Sequence, residues 1–448
     1  MSFIHYPSFV LCFMSTPVRV VGGPGEHPPH RRRSGKTVTG VKLLGPSARR
    51  RERPALALVF AITVTGILAN TLVNAPLPDI LDDFGVPDTG AGPLVAAATL
   101  PGIAIAPAIG LLADRFGRRQ VLMPCLVVFG LGGVGAAFAP SFGALLGLRL
   151  VQGVGSAGLI NLAVVLLGDY WEGTERARLI GYNAAVLTVS VAIFPAVGGL
   201  LAAAGGWRWS FVPYGFALVT ALAVWRGLPP RPTPVPIPMR RQVHDALAVL
   251  RQPAVLGAVS FGFVLFVLIF GLFLTVLPLL LEQRFGLAAG QRGFVLAVPA
   301  TGATVAALAL GRLRARFGRR TLILVASMLF TAGFAVIGAA PTLGLVFAGA
   351  VLYGLGEGMS IPTVQDVVAG YAPEASRGAV VAAWVGAARA GQTAGPLLAA
   401  VSMGAVGPGG TYLIGAVVAL GMVVAVLLVR VGRIEDRYEG RQAVTSGP

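Results

Sequence analysis

The sequence predicts an all-α membrane protein in which twelve transmembrane helices form two pseudo-symmetric six-helix bundles. Three observations support this prediction. The 448 residues are 55% hydrophobic and only 12% charged, whereas charged residues make up roughly a quarter of a soluble globular protein. Apolar runs of about 20 residues, long enough to cross a ~30 Å hydrocarbon core, recur from Leu56 onward. A basic loop sequence occurs twice, at a spacing of 201 positions.

The repeated loop joins two apolar runs in both copies. Gly110 to Leu122 reads GLLADRFGRRQVL, and Gly311 to Ile323 reads GRLRARFGRRTLI. Arginines keep such a loop in water on the positive side of the membrane, and its glycine permits a tight turn. The same shift of 201 aligns Phe84-Gly85 with Phe285-Gly286, Gly153 and Gly155 with Gly354 and Gly356, Arg176 with Arg377, and Pro195 with Pro396. Repeats of this length indicate a transporter of two related halves, with the substrate path at their interface near the bilayer midplane.

The predicted spans divide the chain into two bundles and their connections. They cover residues 55–78, 91–113, 120–139, 142–167, 178–203, 209–228, 254–281, 290–311, 320–340, 343–367, 378–402 and 410–430. The predicted domains are a disordered cytoplasmic tail (1–53), an N-terminal bundle (54–228), a cytoplasmic linker with an interfacial helix (229–252), a C-terminal bundle (253–430) and a cytoplasmic tail (431–448).

The net charge is +17, and the distribution of the basic residues along the chain agrees with the predicted topology. Arginines concentrate before the first span and in the even-numbered connections, which predicts a cell inner membrane protein with both termini cytoplasmic. Anionic lipid, and not nucleic acid, is therefore the expected partner of this charge. We expect no cofactor and no metal, and we expect the chain to be a monomer.

Twelve spans in two related halves, with GLLADRFGRRQVL after span 2, resemble the major facilitator superfamily and within it the 12-span drug:proton antiporters. The resemblance covers residues 55 to 430 and implies a transporter, not an enzyme. It also implies an intracellular gate, in which Asp114 caps span 2 and acts with arginines of the loop. The implied gate residues are Asp114, Arg115, Gly117, Arg118, Arg119 and Asp169. Ala315 replaces the aspartate in the second copy, which predicts a weaker C-terminal gate.

Span 5 resembles the exporters of this superfamily in part. They usually carry Gly-Pro followed by a Gly-Gly pair, and here Pro195, Gly198 and Gly199 are present while Phe194 stands in place of the first glycine. These residues predict a helix bend and a small-residue face, and the match favours export.

Three charged side chains lie deep in predicted spans: Arg149, Glu357 and Arg389. An ionised group at the bilayer centre costs about 2.5–3.5 kcal/mol, so each should face a partner or an aqueous cavity. Glu357 and Arg389 either form an ion pair that fixes packing or serve transport, with Glu357 as the proton-coupling carboxylate. Asp366, near the inner end of span 10, is expected to face the loop.

The predicted cavity residues combine these cations with uncharged polar side chains. They are Asn70, Asn74, Arg149, Gln152, Arg389 and Gln392. The alternative for the amides is hydrogen bonding between helices, which explains such residues more often than ligands do.

Three functions remain open from the sequence. The leading hypothesis is proton-coupled efflux of a small amphipathic or drug-like molecule, antibiotics included, by alternating access of the two bundles. The second is proton-coupled uptake of an organic anion or metabolite held by Arg149 and Arg389. A non-transporting membrane receptor is the hypothesis of a different class, while motifs typical of enzymes are absent from the sequence.

Overall fold

The structure is a computed structural model that describes residues 53–229, 253–371 and 377–428. Every regular element within these ranges is helical. Nine helical stretches of the described residues are long and apolar enough to cross a membrane, by length and composition. The predicted interfacial helix and nearly all of the two predicted tails lie outside the described residues.

The N-terminal half contains predicted spans 1 to 6. Span 1 comprises Leu56–Leu68, a run of turns over 69–76, and Leu77–Asp83; span 2 is Ala91–Phe116, preceded by a 3-10 turn at Asp88–Gly90; span 3 is Arg118–Ala136; span 4 comprises Phe142–Ser156 and Leu159–Tyr170; span 5 is Gly173–Gly205; and span 6 comprises the 3-10 segment Trp207–Gly215 and Phe216–Gly227.

The C-terminal half contains predicted spans 7 to 12. Span 7 comprises Pro253–Leu268, a π-helical segment Ile269–Val276, and Leu277–Phe285; span 8 comprises Ala289–Ala297 and Pro299–Arg316; span 9 is Arg319–Ala339; span 10 is Leu343–Tyr371; and spans 11 and 12 lie in the stretch Arg377–Leu428.

Each predicted span therefore coincides with a helical segment, and the difference between twelve and nine has a structural cause. Spans 11 and 12 form one helical stretch that is divided only at Gly407, whose φ of 70° and ψ of 176° are not helical. Spans 1 and 6 are broken, so that their apolar α-helical parts, Leu56–Leu68 and Phe216–Gly227, have only 13 and 12 residues.

The two halves are built on the same helix contacts. A Cβ atom added to Gly153 of span 4 would lie 2.8 Å from the carbonyl oxygen of Ala98 in span 2. The corresponding Cβ on Gly354 of span 10 would lie 2.0 Å from the carbonyl oxygen of Pro299 in span 8. Ala98 and Pro299 are themselves 201 positions apart. Small residues allow transmembrane helices to approach closely, so the repeat read from the sequence is also a repeat of backbone packing.

The first span of each half departs from α-helical geometry at the same register. After the shift of 201, the turns at 69–76 in span 1 fall on residues 270–277, which overlap the π-helical segment Ile269–Val276 of span 7 within one residue. A neighbouring span supplies a hydrogen bond to each irregular region: Arg149 Nη2 donates to the carbonyl oxygen of Ala69 over 3.0 Å, and the Tyr412 hydroxyl donates to that of Leu272 over 3.1 Å. Backbone groups freed inside a membrane need such partners.

We expect Gly354→Ala to destabilise the protein because its new methyl group would force spans 8 and 10 apart. Overpacking of this kind costs about 1–3 kcal/mol, enough to lower the melting temperature of the detergent-solubilised protein by several degrees. Gly344→Ala is the matched control, since a Cβ on this span 10 glycine meets no described atom within 4 Å. Equal melting temperatures for the two variants would contradict the packing described above.

Candidate functional site

The two halves meet along two helix pairs, span 5 with span 8 and span 2 with span 11. A Cβ on Gly293 of span 8 would lie 2.5 Å from the carbonyl oxygen of Pro195, and a Cβ on Gly92 of span 2 would lie 2.5 Å from that of Pro396. The two glycines are 201 positions apart, as are the two prolines. The contacts are therefore equivalent under the pseudo-symmetry. The repeat aligned the prolines in the sequence, but nothing there indicated the glycines that they contact.

The predicted bend residues of span 5 lie in this contact. A Cβ on Gly198 would be 2.0 Å from the carbonyl oxygen of Leu72 in span 1, and one on Gly199 would be 2.3 Å from that of Ala289 at the start of span 8. Pro195 lies inside the helix Gly173–Gly205. The small-residue face thus packs span 5 against both its own half and the other half, while the bend itself remains a prediction.

Polar contacts join the halves at the end of the bundle that carries the odd-numbered connections, which we call the odd-loop end. Arg292, only 1% exposed, donates from Nε to the carbonyl oxygen of Ala75 over 2.9 Å and pairs through Nη2 with Asp79. Gln283 donates to Asp88 nearby. Arg292 was not among the predicted site residues, although an arginine at the start of an apolar span is a signal that could have identified it.

The seam between spans 2 and 11 closes near the middle of both spans. Thr393 donates from its hydroxyl to the Thr99 hydroxyl over 3.0 Å, and Thr99 contacts the carbonyl oxygen of Gln392 at 3.5 Å. A Cβ on Gly102, one turn further along span 2, would lie 3.6 Å from Cδ of Arg389. Further toward the end with the even-numbered connections (the even-loop end), a Cβ on Gly110 of span 2 or on Gly386 of span 11 would meet no described atom within 4 Å.

The predicted cavity residues Arg149 and Gln152 are buried inside the N-terminal half. Arg149 is 2% exposed and donates to Gln152 Oε1 over 2.6 Å, to the Tyr214 hydroxyl over 3.4 Å and to the carbonyl of Ala69. Its Nε and the Gln152 Nε2 are sealed from solvent and have no hydrogen-bond partner among the described residues. In this structure the pair supports the broken part of span 1, and its role as a cavity lining stays a prediction.

Arg389 and Gln392 repeat the same Arg-x-x-Gln spacing in span 11 but in an open setting. Arg389 donates from Nη1 to Gln392 Oε1 over 3.4 Å. Its other two guanidinium nitrogens have no hydrogen bond to a described residue, yet they are not among the sealed polar atoms. They therefore reach accessible space, unlike the Arg149 guanidinium.

Glu357 lies between two glycines that pack on neighbouring spans. Cβ atoms on Gly356 and Gly358 would lie 2.9 Å and 2.5 Å from the carbonyl oxygens of Ala326 and Ala303. The Glu357 carboxylate lies beside the side chain of Tyr353, one turn earlier. No ion pair between described residues joins Glu357 to Arg389, so the pairing left open by the sequence is not formed here.

The stacked ring of Tyr353 connects the Glu357 site to span 7. Tyr353 is 1% exposed, and its ring lies 4.7 Å from that of Phe273 in the π-helical segment.

In span 1, Asn74 is buried and donates to the backbone carbonyl of Asn70 over 2.7 Å, while Asn70 is half-buried. Both asparagines lie in the turns at 69–76, and their assignment to the cavity is still a prediction.

The predicted N-terminal gate residues come together at the even-loop end. Arg118 pairs with Asp114 over 2.7 Å and with Asp169 over 2.9 Å. Gly117 adopts φ 98°, a value that L side chains rarely reach, and so allows span 3 to begin directly after span 2. Arg119 lines, together with Arg118 and Asp169, a cavity of about 320 Å³. Arg115 lies outside the ion-pair network, with its guanidinium 5.5 Å from the ring of Phe116.

The second copy of the loop uses a different acid, Asp366, which was expected to face the loop. Its side chain is 19% exposed, accepts from Arg319 of the loop over 2.8 Å and lies 3.8 Å from Arg314. Gly370 occupies the position equivalent to Asp169, so a carboxylate one helical turn earlier meets the repeated arginine. Gly318 has an ordinary φ of −64°, so this copy does not require its glycine for the turn.

Comparison with known proteins identifies the family. The family description of the Major Facilitator Superfamily matches residues 59–290 and again 259–445. The chain belongs to the Major Facilitator Superfamily. It is accordingly a multi-pass membrane transporter of this superfamily and not an enzyme, and the transporters of this superfamily carry small molecules across membranes.

Curated relatives of this superfamily member include named exporters. The bacillibactin exporter of Bacillus subtilis strain 168 is 32% identical over 154 residues, which cover 33% of this chain and 37% of that protein. The puromycin resistance protein pur8 of Streptomyces alboniger is 32% identical over 193 residues, 43% of this chain and 38% of that protein. The chain thus matches well under half of the length of these relatives.

Solved structures with the same fold include two transporters. The human organic anion transporter MFSD10 superposes with a TM-score of 0.63 at 22% identity over 83% of this chain and 98% of that one. A D-xylose–proton symporter superposes with a TM-score of 0.68 at 16% identity over 82% and 96%. At these identities the likeness shows the fold.

Removal of the Arg292 cation should open the odd-loop end. We expect Arg292→Ala to increase about tenfold the fraction of molecules that are open at the odd-loop end, because the substitution breaks a contact that joins the halves. A tenfold change in this equilibrium corresponds to ~1.4 kcal/mol. Electron–electron distances between spin labels at Asp82→Cys and Ala288→Cys, in a chain with both native cysteines changed to serine, report this opening.

Arg208→Ala is the matched control for this measurement. It removes an exposed ion pair with Asp83 at the same end, but that pair lies within the N-terminal half. If both variants leave the distance distribution of the parent unchanged, Arg292 does not hold the halves together.

Proposed function

We propose that this chain is a proton-coupled exporter of small amphipathic, drug-like molecules that works by alternating access in the cell inner membrane. The observation that carries the proposal is the uneven seam between the halves. At the odd-loop end, glycines approach carbonyl groups and Arg292 bridges the halves. Toward the even-loop end, Gly110 of span 2 and Gly386 of span 11 meet no described atom within 4 Å, and span 5 contacts Pro299–Arg316 far less than Ala289–Ala297. A bundle with close contacts between its halves at one end and few at the other supports a path that opens to alternate sides.

The charge distribution supports an orientation for this path. The even-numbered connections carry most of the loop arginines, which the positive-inside rule assigns to the cytoplasm. Both termini are then cytoplasmic, and the end of the bundle with few contacts between the halves faces the cytoplasm. An exporter takes up its substrate from that side.

Glu357 is the proposed proton carrier. It lies in span 10, next to Tyr353 and without a cationic partner among the described residues. A charged carboxylate inside the bilayer is unfavourable in free energy. Protonation of Glu357 removes this charge in the conformations in which the carboxylate is closed off from water. Because Tyr353 stacks on Phe273, a change at Glu357 acts directly on the π-helical segment of span 7.

The direction of transport is supported by the relatives and by span 5. Bacillibactin export and puromycin resistance are the properties for which two relatives are named. Span 5 keeps Pro195, Gly198 and Gly199 of the exporter pattern, and all three lie in close contacts of that span. Uptake of an organic anion by proton symport would use the same path in the opposite direction, and the open Arg389 guanidinium is the observation that keeps it as a second candidate.

We expect Glu357→Gln to uncouple transport from the proton gradient, because the amide cannot take up and release a proton. Gradient-driven movement of a fluorescent lipophilic dye in proteoliposomes should fall about a hundredfold or more, the size of effect that loss of a proton-transfer group produces. Glu282→Gln, which neutralises a carboxylate at the end of span 7, is the control and should retain coupling. Gradient-driven transport by Glu357→Gln at the wild-type rate would remove Glu357 from the mechanism.

Cells that express the protein should distinguish export from uptake. We expect them to accumulate less dye than cells that carry the empty vector, and we expect a protonophore to abolish the difference. Greater accumulation in the expressing cells, also sensitive to the protonophore, would support uptake instead.

A further inference from the structure

The seam between spans 2 and 11 ends at a cationic side chain. On span 11, Gly386 lies three residues before Arg389 and therefore on the same face of the helix. On span 2, Gly110 lies eight residues after Gly102, again on one face. Cβ atoms on Gly110 and Gly386 meet no described atom within 4 Å, whereas Gly102 contacts Arg389. Open space therefore lies beside both helices on the even-loop side of Arg389, and we call this space the wedge.

The Arg389 guanidinium lacks a counter-ion among the described residues. Its one hydrogen bond, to Gln392 Oε1, is long at 3.4 Å, and two of its three nitrogens remain accessible. The other two arginines discussed in the seam and the core differ: Arg292 pairs with Asp79, and Arg149 has three acceptors. A charge in the membrane interior needs a partner or water. For Arg389, the wedge is the space that can hold this partner or water.

The chemistry of the pair selects the partner. A guanidinium presents a planar fork of N–H donors that fits a carboxylate with two parallel hydrogen bonds. Gln392 Oε1 accepts from Arg389 and so orients the fork, while the Gln392 amide nitrogen remains available as a further donor. The surrounding wall carries glycine, not acidic side chains, at Gly102, Gly110 and Gly386.

We propose that Arg389 and Gln392 form the recognition site for an acidic group of the substrate, so that the transported molecules include amphipathic organic carboxylates. This inference rests on the proposed function as a transporter with a central path. Arg149, which has the same spacing to a glutamine, is excluded from the site because it is buried inside the N-terminal half.

The position of Arg389 connects binding to the closure of the seam. The Thr393 hydroxyl contacts both the backbone carbonyl of Arg389, at 3.2 Å, and the Thr99 hydroxyl of the other half, at 3.0 Å. A carboxylate bound by Arg389 therefore lies one helical turn from the hydrogen bond that joins spans 2 and 11. Binding at this site can therefore affect the hydrogen bond between spans 2 and 11, which must break or form during alternating access.

The test compares a carboxylic acid with its isosteric uncharged amide on the full-length protein in nanodiscs. The probes are 1-pyrenebutyrate and 1-pyrenebutyramide, with binding followed by pyrene fluorescence. We expect the wild type to bind the carboxylate about tenfold or more tightly than the amide, and Arg389→Gln to lose about tenfold in affinity for the carboxylate only. Arg312→Gln is the control, because it removes the same charge from an exposed position at the even-loop end of span 8.

Two outcomes would overturn the inference: equal affinity of the wild type for the two probes, or an equal loss of both in Arg389→Gln. The first comparison needs no variant and so does not depend on the folding of Arg389→Gln. Arg389→Lys, which keeps the charge and loses the planar fork, should retain part of the preference for the carboxylate.

Dye transport in proteoliposomes separates this inference from the proposed function. If the wild type moves an uncharged dye along a proton gradient but shows no carboxylate preference, the proposed function stands and the acidic-substrate inference fails. If the carboxylate binds selectively but no solute is moved, the proposed transport fails and the binding site stands.

Discussion

The close approach of glycine to the carbonyl groups of neighbouring helices is the constraint on which the rest of this structure depends. Helices in lipid gain little from apolar burial, because the lipid tails are as apolar as their side chains. Contact between backbones must then supply the van der Waals energy. Gly293 against Pro195 and Gly92 against Pro396 bring the two halves together, and Gly354 against Pro299 does the same within a half.

The polar side chains divide into those that complete the backbone and those that do not. Arg149 and Tyr412 donate to carbonyl groups at the irregular segments of spans 1 and 7, where the chain cannot bond itself fully. Arg292 does the same for Ala75 at the seam. Arg389 donates to no backbone group of a described residue, and this difference, more than its depth in the span, marks it as a candidate for ligand binding.

The sequence carried the fold but only part of the site. Apolar length and the repeated loop were sufficient to predict twelve spans in two halves, because both can be read directly along the chain. The Asp114, Arg118 and Asp169 gate came from a resemblance, and the structure brings these residues together. In contrast, Arg149 and Arg389 have identical spacing to a glutamine, and nothing local shows that one is buried and the other open. That difference depends on the rotation of each helix about its axis.

The ion pair between Arg292 and Asp79 has no counterpart in the other half, where the shift of 201 places Ala91 and Leu280. The two contacts between the halves that the repeat relates therefore differ in their ionic interactions, although the glycine contacts of the backbone are equivalent. Opening of the odd-loop end would break this one ionic link, so the link favours the conformation that is sealed there. In the proposed cycle, the step that opens the odd-loop end must therefore supply the free energy to separate one buried arginine from its carboxylate.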